Sequence, residues 1–232
     1  MSKHGKKHLS SIEKLDTAKI TNWKSALDFV VKSAHTKFDE SVDAHINLGI
    51  DASKGEQTVR GSVLLPNGTG KKMRVLVFAK GEYEEQAKKA GADFIGVEDL
   101  ITKIEGGWCD FEAAVATPDL MGAVGRVAKI LGPRGLLPNK KVGTVTFDIA
   151  SIVSDLKKGR VSFRNDKAGL VHAPFGKVSF GTEKLLENLA TLMQAVRTSK
   201  PPTSKGKFVK KVTISSTMGV GIALNPDEVT QG

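Results

Sequence analysis

The sequence predicts a mixed fold in two parts: an α+β domain that is split by an inserted α/β domain. Three observations carry this expectation. Between residues 69 and 159 short apolar runs alternate with helix-forming segments, the pattern of parallel strands joined by helical crossovers. On either side, strands follow a strict two-residue alternation instead. The junctions, Pro66-Asn-Gly-Thr-Gly70 and Lys157-Lys-Gly-Arg160, are rich in turn formers. The expected division is 1–68 with 160–232 for the outer domain and 69–159 for the inserted one.

Taken in order, Thr21 or Asn22 can cap a helix carrying Trp23, Leu27, Val30, Val31 and Ala34 on one side. Val42, Ala44, Ile46, Leu48 and Ile50 then alternate with polar residues, as a half-buried strand requires. Val59–Leu65 reads as its hairpin partner across the polar turn Asp51–Gln57. In the middle, Arg74–Ala79 is a buried strand and Glu82–Ala90 a helix stopped by Gly91. Phe94-Ile95 opens a second strand, Glu98–Ile104 a helix, and Phe111–Ala116 a third strand. Pro118, at a first helical position, starts a helix reaching about Leu131. After residue 160, strands are expected at Val161–Arg164, Val171–Phe180 and Lys207–Ser216, with a helix from Thr182 to about Arg197.

The chain of 232 residues has a net charge of +10 and one cysteine, Cys109. An intrachain disulfide and a thiolate metal cage are therefore excluded. The charge points to nucleic acid or another acidic partner. Two outer segments hold +8 of the +10, so the outer domain is the electrostatic face. Aromatic residues are 6% of the chain, too few for stacking on rings to dominate. No apolar run approaches a membrane span and the basic N-terminus leads into no signal core; a cytoplasmic protein without a membrane partner is expected.

Catalytic and cofactor patterns are missing. No phosphate-binding glycine loop stands between a strand and a helix, and Gly219-Val-Gly221 falls too near the end of the sequence for one. His4 and His8 are four apart in a lysine-rich stretch without a carboxylate or cysteine; His35, His45 and His172 are scattered. No cofactor, metal or catalytic residue is expected. A nucleotide-dependent α/β enzyme using residues 69–159 is the rival class, and a DNA-binding module the third.

Four groups could touch a polyanion. Lys37 and Phe38, at a corner before the first strand, pair a cation with a ring, with Ser41 close behind. Thr217, Met218 and Gly219 end a strand with hydroxyl, flat apolar group and close backbone approach, suited to 2′-OH and phosphate oxygens. Arg164, Lys167, His172 and Lys177 flank the turn Asn165-Asp-Lys-Ala-Gly169, read as a hairpin with a basic rim. Finally, Lys129–Gly143 reads as a helix end opening into a stiff loop. Pro133 and Pro138 fix φ there, and Gly132 and Gly135 permit positive φ. It displays Arg134, Lys140 and Lys141.

These strings together resemble the large-subunit ribosomal protein L-one family, bacterial type. The carrying residues are Lys3–Lys7, Lys37-Phe-Asp-Glu40, Val59-Arg-Gly61, Gly91-Ala-Asp93, Ala116-Thr-Pro-Asp119, Ile130–Asn139, Phe163–Lys167, His172-Ala-Pro174 and Thr217-Met-Gly219. The resemblance implies a discontinuous RNA-binding domain interrupted by a Rossmann-like one. It implies binding to large-subunit ribosomal RNA at the mobile stalk beside the exit-site tRNA, aid to release of deacylated tRNA, and repression of the protein's own operon mRNA. A free monomer is implied as well. Principal contacts are implied at Lys37, Phe38, Thr217, Met218 and Gly219, with Ser41 and the basic turn nearby. Lys140 and Val220 stand where the family commonly has proline.

Overall fold

The computed structural model describes residues 5–15, 22–52, 54–204 and 206–226; Lys3, His4 and Thr21 lie outside them. In chain order the helices are α1 (Lys6–Glu13), α2 (Trp23–Ser33), α3 (Glu82–Lys89), α4 (Glu98–Glu105), α5 (Met121–Val124), α6 (Ala128–Leu131), α7 (Ile149–Lys158) and α8 (Gly181–Thr198). The strands are β1 (Ser41–Leu48), β2 (Arg60–Leu64), β3 (Val75–Phe78), β4 (Phe94–Gly96), β5 (Ala113–Ala116), β6 (Arg160–Arg164), β7 (Leu170–Lys177), β8 (Val209–Ser216) and β9 (Ile222–Leu224). The fold is mixed α/β, and the chain divides into two compact units. One comprises residues up to Gly70 and from Val161 onward, the other Lys71–Arg160.

The first unit is built on a four-stranded sheet ordered β7-β1-β8-β9, antiparallel throughout. The alternation in β1 sends Val42, Ala44, Ile46 and Leu48 to one face, all at most 2% exposed. There they meet Trp23, Ala26, Leu27 and Val30 of α2 and Leu185, Leu189, Leu192, Met193 and Val196 of α8. Each Val, Leu, Ile or Met side chain among them contributes roughly 1.5–3 kcal/mol by leaving water. Asn22 is the N-cap of α2, in a capping box with Ser25, whose Oγ accepts from Asn22 N at 3.3 Å. A buried asparagine ties the junction down. Asn188 donates to the carbonyls of Phe175 (2.8 Å) and Gly68 (2.9 Å) and accepts from Asn67 N at 3.0 Å.

The second unit holds a parallel sheet ordered β4-β3-β5. All four β3 residues are buried because both faces are covered. Leu76 and Phe78 face α4 and the Val124, Val127 and Leu131 side chains. Val75 and Val77 face Ala87 of α3 and Ile149, Val153 and Leu156 of α7.

Several expectations need correction. Val59–Leu65 is not the hairpin partner of β1: β1 lies between β7 and β8, while β2 pairs with β6 in a separate two-stranded sheet. Sequence proximity favoured the hairpin, but β7 and β8 offer longer apolar faces to the shared core. The helix expected from Pro118 to Leu131 is broken into 3-10 and α pieces, with Gly122 and Gly125 inside it. Gly132 does not take positive φ; it is right-handed helical at φ −59°, and of the two only Gly135 is left-handed, at φ 73°. The segment Asn165–Gly169 does reverse the chain, through the antiparallel bridge Asn165–Val171 with Asp166 N donating to Leu170 O at 2.8 Å, but β6 and β7 then run into different sheets. Helices α1 and α7 and strand β9 were not anticipated.

Candidate nucleic-acid interface

The corner between α2 and β1 is clamped from two sides. Toward β8, Ser41 N donates to Thr217 Oγ1 (3.1 Å) and Thr217 N to Ser41 O (3.0 Å). Met218 N donates to Glu40 Oε2 at 3.1 Å. Toward β7, Val178 N donates to Glu40 O (2.9 Å), and the Ser179 hydroxyl to Asp39 Oδ2 (2.7 Å). Within the corner, Thr36 Oγ1 donates to Phe38 O at 2.8 Å.

This clamp explains why two large apolar side chains stand in solvent. Phe38 is 57% exposed and Met218 55%, the highest values among the large hydrophobics of the described residues. Met218 projects from backbone that donates to Glu40, and Phe38 from backbone whose carbonyl accepts from Thr36, so exposure is built into the turn geometry. Lys37 and Thr217 are exposed beside them. At Gly219 an added Cβ would come 2.4 Å from Ser216 Oγ, so glycine permits this close approach.

Glu40 is the buried anchor, at 1% exposure. Burial pushes its carboxyl up, but the hydrogen-bonding groups around it, among them the Met218 and Thr36 N–H groups, together outweigh it and hold the group below its ordinary value. The Ser216 hydroxyl adds to that lowering in direction, yet its Oγ has no partner in hydrogen-bonding geometry.

The remaining predicted residues fall in three places. Lys177 ends β7 opposite Ser41, at the far end of that strand from the turn with which it was grouped. Its ammonium donates to Asp39 O at 3.2 Å. The cation therefore steadies the Phe38 corner. His172 lies midway along β7 on the exposed face, opposite His45. Arg164 and Lys167 lie beyond it, exposed at the end of β6 and in the following turn. There Asp166 Oδ1 accepts from Ala168 N (2.9 Å) and Leu170 N (2.8 Å), which sets the corner's shape.

Arg60 was missed. It lies on β2, the neighbour of β6, and its guanidinium is weakened as an acid-base cation first by burial and then by repulsion from Arg164. Two arginines that repel each other are complementary to a phosphate placed between them. The signal was present as Val59-Arg-Gly61, but only the β2–β6 pairing brings Arg60 to Arg164.

In the second unit Arg134, Lys140 and Lys141 are exposed around one loop. Asn139 Oδ1 accepts from Lys141 N at 2.8 Å, and Thr144 Oγ1 accepts from Asn139 N at 2.8 Å. Leu136 and Leu137 pack back against the core, which anchors the loop between its cations. Among the described residues no group of three or more His, Cys, Asp or Glu side chains could hold a metal. No helix in the described residues is long and apolar enough to cross a membrane.

Against known families, the model described as "Ribosomal protein L1p/L10e family" matches residues 30–220. The match takes in both units, the Phe38 corner and the Thr217-Met218-Gly219 turn.

Proposed function

Because the chain belongs to the ribosomal protein L1p/L10e family, structural proteins of the large ribosomal subunit that bind its RNA, we propose that the Phe38–Met218 edge is the primary reader of that RNA. The carrying observation is the pair of exposed apolar side chains held by a buried carboxylate. Phe38 and Met218 pack on sugar and base, Thr217 and Ser41 meet 2′-OH groups, and Lys37 meets phosphate. Arg164, Lys167 and His172 extend the contact along the sheet.

The two compact units support a finer reading of the architecture. The unit made of two chain segments is the RNA-binding domain, and Lys71–Arg160 is an inserted Rossmann-like domain. Its helix-covered parallel sheet favours that description. The loop of Arg134, Lys140 and Lys141 is then a secondary RNA contact.

On the family resemblance we also propose a second RNA partner, the exit-site tRNA, with aid to release of its deacylated form. Repression of its own operon mRNA follows if that message presents an RNA fold like the ribosomal one. The free protein acts as a monomer.

Footprinting of the purified protein on whole large-subunit RNA tests the primary reading. Protection of one folded site, lost in Met218→Asp but kept in Lys184→Ala, is expected. Equal loss in both variants would leave general charge as the only basis of binding.

A further inference from the structure

The face of the four-stranded sheet that bears His172 carries a cluster beyond the Phe38–Met218 edge. His45 of β1 and His172 of β7 stand directly opposite each other, with their Nδ1 atoms 2.8 Å apart. The ring centroids are 5.0 Å apart and the planes cross at 63°. The other nitrogens have their own neighbours. His45 Nε2 lies 3.3 Å from Ser215 Oγ of β8, and His172 Nε2 lies 3.8 Å from Asp166 Oδ2. Asp43 precedes His45 by two residues on the same face. From β8 the register sets Thr213 opposite His45, and Lys211 opposite Asn47 is the next cation along.

Two ring nitrogens at that distance can be joined by one hydrogen and not by two. One Nδ1 must donate and the other must offer a bare lone pair. The neutral pair and the pair with one added proton both satisfy this. A second added proton would set N–H against N–H and place two cations in contact.

We propose that His45 is a positioning residue for His172: the shared hydrogen holds the His172 ring in place, and a second proton frees that ring and doubles the pair's charge toward an RNA phosphate. The inference rests on the reading of this unit as RNA-binding. Electrostatics agree with it. Burial, then repulsion from His172, holds the His45 imidazole below its ordinary value of 6.5, while the Asp43 carboxylate acts in the opposite sense. The same burial pushes Asp43 up, against the pull of both imidazoles. A phosphate brought to this face favours the extra proton, so RNA binding takes up protons and affinity rises as pH falls.

The test uses the full chain and a large-subunit RNA fragment, with affinity measured at constant salt from about pH 8 to about pH 5.5. The unaltered protein should gain roughly tenfold over that range. His45→Asn removes the second proton and should lessen the slope at the acid end of the range, whereas Lys184→Ala, on α8, should keep it. Thermal melting checks that each variant is folded. A second readout needs no RNA: in a histidine NMR titration, His172→Asn should move the His45 midpoint up and Asp43→Asn should move it down. An unchanged pH slope in His45→Asn overturns the proposal, as does a His45 midpoint that ignores His172→Asn. Failure of the unaltered protein to bind RNA at any pH overturns the RNA-binding reading, and this inference with it.

Discussion

At the scale of single residues, Glu40 organises the candidate interface without facing solvent. It accepts from Met218 N and Thr36 N while its own backbone carbonyl holds Val178. Glu40→Ala strands two N–H donors in a partly buried corner, a loss of about 1–3 kcal/mol. The pH dependence has a definite sign. Because the folded carboxyl sits below its ordinary 4.5, its contribution is complete above that value and disappears as pH falls through the folded one. The melting temperatures of Glu40→Ala and the unaltered protein should therefore differ at neutral pH and converge in acid. A gap that stays constant into strong acid would remove Glu40's charge from the explanation. Phe38 and Met218 act differently, since their exposure adds nothing to the core. Phe38→Ala and Met218→Asp should leave the melting temperature nearly unchanged, yet each should cost ~1–3 kcal/mol of RNA binding. A large fall in melting temperature would make these side chains structural.

At the scale of elements, the segment from Pro118 to Leu131 shows how weakly local signals govern a helix. Proline at the start and apolar spacing along it suggest one continuous helix, but two glycines lower its propensity. The result is a chain of short α and 3-10 turns held by Val124, Val127 and Leu131 in the core. Gly125 is right-handed at φ −56°, and a Cβ at either Gly122 or Gly125 meets nothing within 4 Å. Gly122→Ala and Gly125→Ala should each stabilise the second unit by about 0.5–1 kcal/mol, read as a higher denaturation midpoint. Destabilisation would mean that the broken helix is required by its packing. In α8 the reverse applies at Asn188, an unfavourable helix residue kept for its three bonds to the Phe175, Gly68 and Asn67 backbone. Asn188→Leu should lower stability by more than an exposed helix substitution such as Lys184→Ala. Equal melting temperatures would show that the bonds add nothing net.

At the scale of the whole molecule, β2 leads the chain out of the first unit and β6 brings it back, and these two strands pair with each other. Host continuity therefore depends on one two-stranded ribbon and on the Asn188 tie, not on the intervening residues. Removing 71–160 and joining the ends with a short Gly/Ser linker should leave a cooperatively folding protein. It should bind its RNA within about tenfold of the full chain, a difference of ~1.4 kcal/mol. The loss should appear as faster dissociation once the Arg134 loop is gone. A folded product that no longer selects the RNA would make that loop the primary reader. Binding should also weaken steeply with salt, because basic side chains displace condensed counterions.

What the sequence by itself determined is what depends on neighbours along the chain. The alternation of β1, the buried run of β3, the caps and stops of α2 and α3, and the mixed α/β class all follow from spacing and local conformational preference. The residues of the Phe38 corner and the Thr217 turn were also legible, as strings. Tertiary structure alone decided who meets whom. It placed β7 and β8, rather than β2, beside β1, because sheet pairing is chosen by the total apolar face buried and not by proximity in sequence. That choice carried Lys177 away from the Arg164 turn to Asp39, set Arg60 beside Arg164, and brought His45 against His172. Charge and hydrogen-bond partners act through a few ångströms of space, and only the folded pairing of distant strands supplies those distances.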